Sequence, residues 1–118
     1  KNNLPLVIFG DGKQTRDFIH VSQIIDINLT LGTKSDLQAD IFNVGTGNGN
    51  TVLEVVQAFE KVSNQKLNYE IGPRRPGDIE KVWANTDKVN KLLGWTAKYT
   101  LEDSLRDSWN WQKKLSNL

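Results

Sequence analysis

The 118-residue sequence has no cysteine and no methionine, and it has one histidine. Without cysteine there are no disulfides, no thiolate nucleophile and no cysteine-ligated zinc, and one histidine cannot build a multi-histidine metal site. Absence of cysteine fits a reducing cytosol, so a cytoplasmic protein is expected. No apolar run approaches the ~20 residues of a membrane span, and no signal-peptide pattern leads the chain. Internal repeats and low-complexity tracts are missing too. The chain begins with Lys1 rather than methionine, which reads as a chain processed or cut from a longer one.

What is present argues for a folded unit. Hydrophobic residues make up 37% of the chain, with four tryptophans and four phenylalanines, too many for disorder. The length suits one modest domain, burying roughly 65% of its unfolded surface. Net charge is +1, with no bias toward nucleic acid or membrane. Residues 1–73 hold 6 basic and 8 acidic side chains, and residues 74–118 hold 9 and 6. That difference is too small to mark a polyanion surface.

The pattern along the chain alternates strands and helices, which favours an α/β arrangement. Leu6-Val7-Ile8-Phe9 reads as a buried strand leaving through the turn Gly10-Asp11-Gly12. Ser22 is expected to cap a helix carrying Ile24, Ile25, Ile27, Leu29 and Leu31, with Gly32 ending it. Asp40 to Val44 reads as a second strand, stopped by Gly45-Thr46-Gly47-Asn48-Gly49. Thr51 and Glu54 form a capping box before Val52, Val55, Val56, Phe59 and Val62 at helical spacing. Leu67 to Ile71 alternates as a half-exposed strand would. Two prolines and two glycines make residues 72–78 a loop. Asp87 to Leu93 is a short helix stopped by Gly94, and Thr100 caps a last helix with Leu101, Leu105, Ser108 or Trp109, and Gln112 on one stripe.

Few of these segments carry chemistry on their own. The Gly45–Gly49 loop follows a strand and precedes a helix, as a dinucleotide-binding turn does. Its third glycine should fall at position 50, where Asn50 stands, so the loop reads instead as a tight turn into a capped helix. Pro73-Arg74-Arg75-Pro76-Gly77-Asp78 places two guanidinium forks on a stiffened loop. That suits bidentate binding of phosphate oxygens, or else a solvated turn. Arg16 either reaches the same anion or pairs with its neighbour Asp17. His20, between Ile19 and Val21, reads as a satisfied structural histidine. The tryptophans read as packing residues, because a base-stacking platform needs basic interleaving that is absent.

Gly10-Asp11-Gly12-Lys13-Gln14-Thr15-Arg16-Asp17-Phe18-Ile19-His20-Val21 resembles the G-D-G-x-x-x-R-D-[FY]-[IV]-[HY]-V segment of extended short-chain dehydrogenases that act on nucleotide sugars. Phe42-Asn43-Val44-Gly45-Thr46-Gly47 resembles the next strand and turn of that family. The Pro73–Asp78 loop resembles the P-R-R-x-G-D loop of UDP-glucose 4-epimerases, and Trp83-Ala84-Asn85-Thr86-Asp87-Lys88, Leu93-Gly94-Trp95 and the last helix resemble the family's C-terminal end. The resemblance covers nearly all of the chain. It implies an α/β fold, the C-terminal substrate-binding part of such an enzyme, with a small mixed sheet and helices. Residues 1–118 would form a nucleotide-sugar-binding segment, with the N-terminal Rossmann domain, its glycine-rich loop and its Tyr-x-x-x-Lys pair absent.

By the same resemblance, the strand through Val7 and Phe9 lines the uracil pocket, Arg16 and Arg75 bind the diphosphate, and Asp78 holds the ribose. Arg74 is left facing solvent. Val82 falls where a pocket wall limits the N-acetyl group, and its small size implies room for N-acetylated sugars. The implied reaction, in a longer parent, interconverts UDP-glucose and UDP-galactose. NAD held by the absent domain would accept hydride from C4 and return it to the other face of a 4-keto sugar. No catalytic residue, cofactor site or metal site is expected in this segment, which alone should be inactive. The implied partner is a UDP-hexose, with dimerisation through helices outside the segment and no membrane or nucleic acid. Strands Leu6–Phe9 and Ile41–Val44 would pair with a sheet from the absent domain. Rival readings are a related nucleotide-sugar dehydratase, decarboxylase or UDP-glucuronate epimerase, with Pro76 standing where epimerases often have glutamate, and, in another class, a non-catalytic nucleotide-binding module.

Overall fold

A computed structural model describes residues 4–34, 36 and 40–117. Strand β1 (Leu6–Phe9) pairs in parallel with β4 (Tyr69–Gly72), in the register Leu6↔Tyr69 to Phe9↔Gly72. Strand β2 (Thr15–Arg16) pairs antiparallel with β3 (Asn50–Thr51). On its other edge Thr15 forms a parallel bridge to Lys81. The mixed sheet is thus two short ladders, and β1 finds its partner inside this chain. Because strand side chains alternate, Ile8 turns inward while Val7 and Phe9 stay half-exposed on the opposite face.

Helix α1 (Val21–Thr33) runs through Gly32 and ends one residue beyond it. Its N-cap is His20, not Ser22: the His20 ring nitrogen Nδ1 accepts the Ser22 backbone N–H at 3.1 Å. Nε2 lies 3.1 Å from Asp107, and the ring stacks on Tyr99 at 4.9 Å. One ring nitrogen thus caps α1 while the other reaches Asp107 of the last helix, so both are engaged, as in a structural histidine.

Helix α2 (Val52–Ser63) starts with the expected reciprocal cap. The Glu54 N–H donates to the Thr51 hydroxyl at 3.1 Å, and the Thr51 N–H donates to the Glu54 carboxylate at 2.6 Å. That backbone donation holds the Glu54 carboxyl below its ordinary value. Thr100 and Asp103 repeat the arrangement at the start of α4 (Leu101–Asn117), with the same effect on Asp103. A lowered carboxyl pKa stabilises above the ordinary carboxylate range, and the contribution fades as pH falls through the lowered value. Replacing Thr51 by alanine removes one acceptor and should cost about 1 kcal/mol, read as a melting point lower by about 5 °C.

Helix α3 (Asp87–Leu93) closes on Gly94, as its sequence indicates. One core gathers Ile27 of α1, Val89 of α3 and Trp95, with Ile19, Leu31, Phe42, Val44 and Leu93 packed around them. The Trp95 indole N–H donates to Asp26 at 2.8 Å, so the buried ring satisfies its one donor. A second contact zone joins α2 to α4 through an edge-on Phe59–Trp109 pair, 5.5 Å between ring centres. Trp83 and Trp111 are exposed, so only two of the four tryptophans pack as expected.

Asp40–Val44 is not a strand. Strands need a ladder partner, and no described strand lies beside this segment. Phe42 and Val44 still turn to the core, which preserves the alternation that suggested a strand. The Ile41 carbonyl accepts instead from the Lys88 ammonium at 2.8 Å. The same ammonium bonds Asp40 at 2.6 Å and holds that carboxyl below its usual range. No described helix is long and apolar enough to cross a membrane.

Candidate functional site

The parallel register of β1 and β4 sends both carboxyl ends to one edge, the edge at which parallel α/β sheets bind ligands. Phe9 and Gly10 leave β1 there, and Gly72 leads β4 into the arginine loop, with the Gly10 N–H on the Gly72 carbonyl at 3.1 Å. The Thr15 N–H donates to Glu80, and Val82 donates back to Thr15, at 2.8 and 3.0 Å. Arg16 is thereby laid against residues 78–82.

The loop turns back on itself at Arg75–Asp78. The Asp78 N–H donates to the Arg75 carbonyl at 3.2 Å, with Pro76 second and Gly77 third at φ +76°. That is the pattern of a type II turn, whose third position requires positive φ. The turn presents the Asp78 carboxylate to two arginines. Arg16 Nη2 donates to Oδ1 at 2.6 Å and Arg75 Nη2 to Oδ2 at 3.3 Å. Arg16 is braced by a second bond, Nη1 to the Thr15 carbonyl at 2.8 Å. The Arg75 guanidinium stands 5.3 Å above the Phe9 ring. Asp78 keeps only 12% of its side chain exposed, against 31% for Arg16 and 61% for Arg75.

Four of the six residues singled out from sequence therefore meet at one point: Phe9, Arg16, Arg75 and Asp78. Two openings flank it. One is a cleft of about 230 Å³ between Phe9, Gln14, Arg74 and Glu80. The other is a shallow groove of about 510 Å³ between Arg16, Asn43, Val82 and Asn85. Val82 thus lines the groove that begins at Arg16. Val7 shares Phe9's face of the ladder but lines neither opening. Arg74 does not simply face solvent: its guanidinium donates to the Asp78 carbonyl at 3.0 Å and walls the cleft.

Asp17 carries a role that sequence reasoning missed. It does not pair with Arg16. Its Oδ1 accepts the Thr46 N–H and hydroxyl at 3.0 and 2.6 Å, and Oδ2 accepts the Gly47 and Ala84 N–H groups at 3.1 and 3.3 Å. Adjacent residues on extended backbone face opposite sides, and that rule alone separates Asp17 from Arg16. Gly45 makes the approach possible, since a Cβ there would collide with the Asp17 carboxylate and come within 2.6 Å of Ala84 Cβ. The carboxylate ties the strand bearing Arg16 to both walls of the groove.

The same bonds decide the nature of the glycine loop. A dinucleotide turn offers free backbone N–H groups to a diphosphate, but those of Thr46 and Gly47 are spent on Asp17. The loop does not fit NAD. Among the described residues no cluster of histidine and carboxylate side chains forms a metal site.

UDP-glucose 4-epimerase 3 of Oryza sativa subsp. japonica is 49% identical over 108 residues, which is 88% of this chain and 29% of the rice enzyme. The structure of UDP-glucose 4-epimerase from Bifidobacterium longum with NAD+ and UDP superposes with a TM-score of 0.87 at 38% identity, over 96% of this chain and 36% of that one. UDP-glucuronic acid 4-epimerase from Bacillus cereus, with UDP-glucuronic acid and NAD, gives 0.85 at 30% identity, over 96% and 36%. The chain thus spans about a third of the length of these relatives. The sequence model described as GDP-mannose 4,6 dehydratase matches residues 1–108; the chain belongs to that family, and its curated relatives there include UDP-glucose 4-epimerases.

Proposed function

We propose that residues 1–118 form the substrate-binding part of a UDP-sugar 4-epimerase, active in the full-length protein on UDP-glucose and UDP-galactose. The observation that carries this reading is the convergence of Arg16 and Arg75, from distant stretches, on one carboxylate beside the Phe9 ring. Two guanidinium groups at that spacing suit the paired phosphates of a nucleoside diphosphate. Phe9 and Val7 would then flank the base, Asp78 the ribose, and Val82 the hexose in the groove. Holding the nucleotide by remote contacts spends binding energy on positioning while leaving the sugar free to turn.

The relatives solved with NAD imply that cofactor for the full-length protein. The Gly45–Gly49 loop does not fit it, because the Thr46 and Gly47 N–H groups are spent on Asp17. The test is the full-length protein supplied with UDP-galactose, with products resolved by chromatography. UDP-glucose is the expected product, and accumulation of a 4-keto-6-deoxy sugar nucleotide would make the protein a dehydratase instead.

A further inference from the structure

We propose that Asp17 is a positioning residue that sets the width of the groove beside Arg16, and with it the bulk of sugar the groove admits. The inference rests on the substrate-binding reading above and adds a size selector to it. Strand β2 and residues 80–84 start as a parallel ladder. The Thr15 N–H donates to the Glu80 carbonyl and the Val82 N–H donates back to Thr15, on either side of the Thr15–Lys81 bridge. In that register the next rung runs from the Ala84 N–H to the backbone carbonyl of residue 17. Here the Ala84 N–H reaches the Asp17 side chain instead, 3.3 Å from Oδ2.

Backbone rungs hold neighbouring strands about 4.8 Å apart. A rung made through a side chain holds them farther apart, so the two segments splay from Asp17 onward. The groove opens at this splay: Arg16 and Asp17 line it together with residues 42–44 on one side and 82–85 on the other. The same carboxylate accepts the Thr46 and Gly47 N–H groups at 3.0 and 3.1 Å, just beyond Val44. Both sides thus hang on one side chain, whose length fixes their spacing. Gly45 lies outside the positive-φ region, so its missing Cβ serves space rather than backbone conformation. A Cβ there would come within 2.6 Å of the Ala84 Cβ and collide with the Asp17 carboxylate.

Two variants widen this joint by different means. Asp17→Glu keeps the charge and the acceptors but adds a methylene to the rung, and Gly45→Ala wedges a methyl group between the carboxylate and Ala84. Full-length protein is given UDP-galactose and UDP-N-acetylgalactosamine together, and the ratio of their kcat/KM values is read from the competing turnover. The amount of folded enzyme cancels from that ratio, so lost stability alone does not move it. Both variants are expected to shift the ratio about tenfold toward the N-acetylated sugar, the size of a one-group change in a packed site. A ratio that is unchanged, or shifted toward UDP-galactose, would overturn the proposal. So would loss of both activities, whether or not melting curves show the fold intact, because Asp17 would then do more than set a spacing. If the wild type turns over neither substrate, the substrate-binding reading falls first, and the proposal falls with it.

Discussion

Arg16→Ala should weaken UDP binding about fiftyfold, equivalent to roughly 2.3 kcal/mol, the range of a charge-assisted hydrogen bond. Arg16 is the better held of the two arginines. It is 31% exposed and braced on the Thr15 carbonyl, whereas Arg75 is 61% exposed. A preorganised fork loses less entropy on binding than a solvated one, so Arg75→Ala should cost only about tenfold. Arg16→Lys should fall between wild type and Arg16→Ala, because lysine keeps the charge without the two-pronged geometry. On the proposed function, the loss in the full-length protein should appear mainly in KM, since the arginine would hold the part of the substrate that does not react. Equal UDP affinity in wild type and Arg16→Ala would remove the arginine pair from the binding site.

Asp17→Ala should be the most damaging single change to stability. It leaves the Thr46, Gly47 and Ala84 N–H groups without their acceptor, while the Thr46 hydroxyl keeps the Asn48 carbonyl at 3.0 Å. Bonds to a charged acceptor are stronger than neutral ones, and stranded donors add a desolvation cost, so about 3 kcal/mol is expected. In a protein of this size that lowers the melting point by about 12 °C. Asp17→Asn should recover part of the loss, since one amide oxygen can still accept while its NH2 group opposes the donors. A shift below about 2 °C in Asp17→Ala would mean that water replaces the carboxylate without cost.

The elements that sequence revealed best are those whose signals are local. Thr51 with Glu54, Thr100 with Asp103 and Gly94 after Leu93 lie within a turn of the helix ends they define, so spacing along the chain is enough. His20 took the cap assigned to Ser22 because an imidazole nitrogen can accept an N–H as a hydroxyl does, a use of histidine that cap preferences rank low. Asp40–Val44 had the alternation of a strand but not the neighbour that makes one. At the site, the identity of Arg16, Arg75 and Asp78 was legible through the resemblance. Their mutual contact was not legible in spacing, because Arg16 and Asp78 lie 62 residues apart. Asp17 stayed hidden because all four of its donors lie 29 to 67 residues away.

Those separations bear on how the molecule acquires its site. Arg16 meets Asp78 across 62 residues and Asp17 meets Ala84 across 67, while the helix caps close within three. Loop closure must be paid in chain entropy before such distant contacts contribute anything, and folds dominated by them form slowly. The helices can form early and locally. The cluster of Arg16, Arg75 and Asp78 comes together only when these distant segments dock, so its assembly is a late event in folding.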